Sequence, residues 1–147
     1  MAITKFNIRV YGILINDKQE VLISDEHRFK TAFTKFPGGG LEFGEGLADG
    51  LKREFREELN LEIEVGELFY VNDFLQTSKF DDSYQLISFY YFVNCADINL
   101  IKTRTNNIPL TADGEEFRWF PIEKLRKEMM TFPIDKLVAK KLGKANQ

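Results

Sequence analysis

The chain has 147 residues, 44% hydrophobic and 14% aromatic, which is enough to fill one core, so a single domain over 1–147 is expected. A net charge of −3 and a pI of about 5.3 give no general attraction to nucleic acid or anionic membranes, which argues against a chromosome-coating or membrane-surface role. Cys95 is the only cysteine, so neither an intramolecular disulfide nor a cysteine-based zinc cluster forms, and a reducing compartment, the cytoplasm, is expected.

Met1 to Val10 alternates polar and apolar residues instead of showing the charged and apolar regions of an export signal, and no segment approaches ~18 uninterrupted apolar residues. From Phe6 to Ile15 the alternation gives way to residues apolar on both faces, as in a strand entering the middle of a sheet. Asn16 to Glu20 reads as a turn, Val21-Leu22-Ile23 as the returning strand, Ser24 to Thr31 as a surface loop, and Ala32 to Phe36 as a short strand closed by Pro37. Gly38-Gly39-Gly40, with Gly44 and Gly46 behind them, predict a loop, and Leu47 to Leu59 has helical periodicity. Glu62 to Phe74 and Tyr84 to Cys95 predict strands, the second a central one because it is apolar on both faces. Asp97 to Gly114 reads as a long loop before a strand at Glu116 to Phe120, and Pro121 and Pro133 suit the first turns of two short helices ending near Leu142, followed by a polar tail from Gly143 to Gln147. The alternation of elements predicts a mixed α/β class.

The helix at 47–59 carries the chemistry. At about 100° per residue, Leu47, Ala48, Leu51, Phe55 and Leu59 form an apolar stripe, and Asp49, Lys52, Arg56 and Asn60 form the solvated face. Glu54, Glu57 and Glu58 fall on neither; they make one acidic patch at the edge of the apolar stripe, with Glu58 among the leucines. Such a run is ordinarily a solvated, ion-paired face, with Lys52, Arg53 and Arg56 as partners. Three mutually repelling, partly buried carboxylates directly after a glycine loop instead call for a cation. Mg²⁺ or Mn²⁺ suits oxygen ligands shared with a phosphate substrate, whereas zinc is disfavoured because His27 is the only histidine.

From Gly39, the run GGLEFGEGLADGLKREFREELNL resembles the box of the Nudix (MutT-like) hydrolases, with Gly39, Glu45, Arg53, Glu54, Phe55, Glu57, Glu58, Asn60 and Leu61 at its positions. The match covers 39–61 and keeps every charged position. Phe55 replaces an aliphatic residue and Asn60 the closing glycine, and Asn is the next best residue for a left-handed cap. The resemblance implies a Nudix-type α/β/α sandwich with a central mixed β-sheet. It also implies metal-dependent hydrolysis, by water attack at phosphorus, of a nucleoside diphosphate linked to another moiety.

By the same resemblance Glu54, Glu57 and Glu58, with the carbonyl of Gly38, would hold the metal, while Gly39, Glu45 and Arg53 would support the site. Glu57 is the first candidate for the base that takes the water's proton, beside Glu54. Glu116, or the loop acids Asp81 or Asp82, are alternatives, although an acid in such a loop is more simply a solvated turn. Arg28 and Lys35, with Phe74 and Tyr84, are candidates for substrate binding; His27 in a polar loop is more simply a turn residue, and Phe33, Tyr70, Phe74 and Tyr84 are more simply core. Cys95 reads as a small buried hydrophobe.

Two other functions fit the family: a nucleotide-binding or regulatory module without turnover, disfavoured by the intact box acids, and an isomerase like the isopentenyl diphosphate isomerases, which would need Cys95 at the site. ADP-ribose hydrolases of the family often carry a proline shortly past the box, and Val71 to Ser78 has none. Nucleoside triphosphates, nucleotide sugars and dinucleoside polyphosphates therefore remain as substrates. A small nucleotide diphosphate partner, no nucleic acid, no membrane and a possible homodimer complete the expectation.

Overall fold

The computed structural model describes residues 2–145. Its elements are β1 (Lys5–Leu14), β2 (Glu20–Arg28), β3 (Thr31–Lys35), β4 (Gly38–Gly40), α1 (Leu47–Leu59), β5 (Glu64–Val71), β6 (Tyr84–Asn94), β7 (Gly114–Pro121) and α2 (Pro133–Ala145), with three short 3-10 turns. This is the expected mixed α/β class, with the strands divided between two sheets. The chain forms two compact units, 1–13 with 38–97 and 14–37 with 98–147, each assembled from two stretches.

In the first unit the sheet order is β4-β1-β6-β5. The doubly apolar segments β1 and β6 take the two interior positions; β1 is buried on both faces from Val10 to Leu14, while β6 is mostly half-buried, with Ser88, Tyr90 and Val93 buried. Helix α1 buries Leu51 and Phe55; the Phe55 ring lies against Gly12 of β1, where an added Cβ would come within 2.7 Å of it. The helix ends at Asn60, whose φ of 52° and ψ of 44° place it in the left-handed region, with its N–H directed to the carbonyls of Arg56 and Phe55.

In the second unit the order is β3-β2-β7, all antiparallel. The expected loop at Ser24–Thr31 is instead mostly strand: β2 runs to Arg28, and only Phe29 and Lys30 form the turn. Polarity there reflects cross-strand pairing, because Asp25 meets Arg118 of β7 and Thr34 of β3. The expected helix after Pro121 is a single 3-10 turn, Ile122–Lys124, and α2 begins at Pro133. Ile134, Val138, Ala139 and Leu142 of α2 are buried. The expected polar tail is helical through Ala145; Asn146 and Gln147, like Met1, lie outside the described residues. Among the described residues no helix is long and apolar enough to cross a membrane.

Candidate active site

The glycine run forms β4, paired with β1 through Arg9–Gly40, Val10–Gly39 and Tyr11–Gly38. Gly38 has φ 144°, and a Cβ there would fall 2.1 Å from the carbonyl oxygen of Val10, so only glycine fits. A Cβ on Gly39 would meet Glu54 Oε1 at 2.6 Å. The missing side chain of Gly39 is therefore the space that the Glu54 carboxylate fills.

Arg53 fastens the loop between β4 and α1. Its Nε donates to both oxygens of Glu45, at 3.2 and 3.0 Å, and its Nη2 donates to Glu45 Oε1 at 2.8 Å and to the carbonyl of Gly40 at 3.0 Å. Glu45 Oε1 also accepts from the backbone N–H of Glu42 at 2.9 Å. The Arg53 guanidinium, then that N–H, hold the Glu45 carboxyl below its usual range.

The box acids differ in depth. Glu54 is the most buried of the three, Glu58 is half-buried and Glu57 has a side chain 58% exposed, so Glu54 rather than Glu58 lies deepest against the apolar stripe. One guanidinium nitrogen, Arg53 Nη1, lies 3.3 Å from Glu54 Oε1, 3.2 Å from Glu57 Oε2 and 3.5 Å from Glu42 Oε1. Among the described residues no three acidic, histidine or cysteine side chains stand together as a ready-made cage. What gathers the carboxylates is positive charge, here that of Arg53. Hard oxygens in excess over the cation they share are a donor set that fits Mg²⁺ or Mn²⁺ and not a soft metal.

Arg28, Lys35 and Glu116 belong to the second unit. Glu116 is exposed and pairs with Arg104 Nη1 at 3.1 Å. Lys35 is buried, 3.3 Å from Glu26 Oε2 and 3.7 Å from Glu115 Oε2, and Arg28 Nε contacts Glu26 Oε1 at 2.8 Å. In the first unit Phe74 is 40% exposed, and Tyr84 lies under Lys5 Nζ, 5.2 Å from its ring centroid. Phe33 is core, against Phe132 at 5.3 Å. Asp81 is an exposed turn acid tied to the N–H and hydroxyl of Ser83, whose bonds lower its pKa and make it a weaker base. Cys95 is half-buried rather than buried; its Sγ accepts from the N–H of Asp97 at 3.2 Å, and burial pushes its pKa up, away from nucleophilic thiolate.

Three groups escaped the sequence reading. Glu42 joins the acids around Arg53, but a lone loop glutamate carries no spacing signal. Glu26 and Glu115 stand directly opposite each other in the β2–β7 register, both largely buried. The signal was available in the polar run Ser24–Arg28, had it been read as a strand facing a second acidic strand.

A family model described as the NUDIX domain matches residues 5–141. An RNA pyrophosphohydrolase from Ruthia magnifica subsp. Calyptogena magnifica is 46% identical over 54 residues, which are 36% of this chain and 29% of that relative, so the chain matches less than a third of the relative's length. The MutT protein of Methanosarcina mazei Go1 superposes with a TM-score of 0.69 at 20% identity, covering 98% of this chain and 97% of that one. A MutT structure from work on Aliivibrio salmonicida and Vibrio cholerae gives 0.60 at 26% identity, covering 96% and 99%.

Proposed function

This chain belongs to the Nudix family of hydrolases, and on that premise we propose that it is a divalent-metal-dependent pyrophosphohydrolase acting on a small nucleoside diphosphate derivative. The supporting observation is the convergence of Glu42, Glu54 and Glu57 on one cationic nitrogen at the end of a glycine strand. Glu54, Glu57 and Glu58, with the Gly38 carbonyl, are the residues that would hold Mg²⁺ or Mn²⁺. When bound, such an ion supplies positive charge against the diphosphate and acidifies water in its shell.

The side chains divide the remaining work. Glu54 is fixed by the space over Gly39 and cannot swing away without losing it. Glu57, the exposed carboxylate on the same patch, would be the group that accepts a proton from the attacking water. Arg53 holds Glu45, and so the loop, to the helix, which sets the geometry in which water attacks phosphorus. Glu116, paired with Arg104, is the alternative base. The remaining substrate-binding candidates are Arg28, Lys35, Phe74 and Tyr84. The single cysteine agrees with a cytoplasmic setting.

The test is phosphate or pyrophosphate release from nucleoside triphosphates, nucleotide sugars and dinucleoside polyphosphates with Mg²⁺. Wild type should turn over at least one of these, and Glu57→Gln should lower kcat by roughly 10²–10⁴ with KM little changed. Absence of turnover on every diphosphate, or full activity in Glu57→Gln and Glu54→Gln together, would overturn the assignment.

A further inference from the structure

The charge of this chain is unevenly spread. Its net charge of −3 gives no expectation of nucleic-acid binding, yet the segment 122–145 holds seven lysines and arginines against three acids. One of those acids, Asp135, is 2% exposed and lies in the interior rather than among the surface lysines. The excess falls on α2 and the two 3-10 turns before it, Ile122–Lys124 and Lys127–Met129, all within the second unit.

At about 100° per residue, Lys136, Lys140, Lys141 and Lys144 fall within an arc of roughly 140°, on the side of α2 away from the buried Val138 and Leu142. Lys136, Lys140 and Lys144 form one i, i+4 row whose neighbouring positions are about 6 Å apart along the axis. Like charges at that spacing destabilise a helix, and the single acid of α2 is the buried Asp135. The row therefore costs the helix stability that folding alone would keep. The turns extend the same face. Lys136 Nζ donates to the carbonyl of Lys127 at 3.5 Å, which sets Lys127 beside the start of the row. At the other end Gly143 packs on Leu125, whose carbonyl oxygen would lie 3.1 Å from an added Cβ. That contact brings Lys124 and Arg126, the neighbours of Leu125, to the end of α2 that carries Lys144. Lys124, Arg126, Lys127, Lys140 and Lys144 are all exposed.

We propose that α2 and these turns form a docking face for a single nucleic-acid strand, which lies along the helix with its phosphates on Lys136, Lys140 and Lys144. The charges form a row at a regular short interval, as the phosphates of a strand do, and lysine ammoniums act as point charges without base readout. An anionic membrane fits less well, because a helix that lies on lipid needs an apolar face to insert, and the apolar residues of α2 are already buried in the core. The proposal stands on charge and helix geometry alone and does not depend on the pyrophosphohydrolase reading.

The experiment is fluorescence anisotropy with short single-stranded RNA and DNA oligonucleotides of mixed sequence, labelled at the 3′ end. They carry a 5′-hydroxyl, and EDTA is present, so that the box acids hold neither metal nor diphosphate. Binding of either strand supports the proposal, and the two arms tell which sugar is preferred. With three or four phosphates neutralised, affinity should fall about 20- to 50-fold between about 50 and 200 mM KCl. Lys140→Gln with Lys144→Gln should weaken binding about tenfold or more, and Lys140→Glu with Lys144→Glu should abolish it, in protein whose dichroism matches wild type. No binding at low salt, binding insensitive to both double variants, or equal binding of a polyglutamate peptide or of phosphatidylserine vesicles overturns the proposal. Hydrolysis of small diphosphates separates this proposal from the enzyme assignment: both double variants should retain it, and its absence in wild type bears on the box acids alone.

Discussion

A methyl group at position 39 would lie 2.6 Å from Glu54 Oε1, a separation that side-chain carbons do not tolerate. Gly39→Ala should therefore push the Glu54 carboxylate off its seat, costing about 1–3 kcal/mol in urea unfolding and, because small misplacements of catalytic groups are expensive, roughly 10² in kcat. Unchanged kcat in a folded Gly39→Ala protein would show that Glu54 does not need that position. A second residue-scale expectation concerns Glu115, whose pKa is raised chiefly by burial. Well below its unfolded pKa the carboxyl is protonated in both states and folding gains nothing from pH. As pH rises through the interval up to the folded pKa, the native state keeps a proton that the unfolded chain has released, and stability falls. Glu115→Gln removes that dependence, so its stability relative to wild type should improve over the range that runs upward from the ordinary carboxylate pKa. A difference flat across this range, in paired urea titrations, would mean that Glu115 ionises as easily folded as unfolded.

Helix α1 was legible in the sequence almost to the residue, because periodicity, the leading glycines and Asn60 all mark the same bounds. The central positions of β1 and β6 followed from segments apolar on both faces. Strand β2 beyond Ile23 was not legible, because Ser24–Arg28 looks like a solvated loop until Arg118, Lys35 and Glu115 are known to lie across from it. Pairing across the sheet is nonlocal and leaves no mark in a window of sequence. For the same reason the acid positions of the box were readable while Glu42 and Glu26 were not. The helix end supplies its own test. Asn60 tolerates the left-handed region that Gly prefers and β-branched residues resist, so Asn60→Gly should leave thermal stability within about 1 kcal/mol of wild type or raise it, while Asn60→Val should cost about 1–2 kcal/mol. Equal stability of the two variants would show that the cap does not hold the helix end.

At the scale of the molecule, neither compact unit is a continuous piece of chain: β1 lies between β4 and β6 in the first sheet, so a fragment 38–97 would lack an interior strand. We propose that the chain unfolds as one domain, and its only tryptophan makes this measurable. Trp119 sits on β7 in the second unit, while the proposed metal ligands lie on β4 and α1 in the first. A ligand that binds only the native state stabilises whatever unfolds cooperatively with its site, by about 2.7 kcal/mol at a hundred times its Kd. For a chain of this size each kcal/mol is worth roughly 2–4 °C in Tm. Saturating Mg²⁺ should therefore raise the transition followed by Trp119 fluorescence by several degrees, and by the same amount as the transition followed by far-ultraviolet dichroism. Replacing Glu54 and Glu57 by Gln should abolish both shifts, because those variants lose the charge that draws the ion. A dichroism transition that moves with Mg²⁺ while the Trp119 transition stays put would show two domains that unfold separately. Absence of any shift in wild type would instead remove the metal site, and with it the chemistry assigned to Glu57.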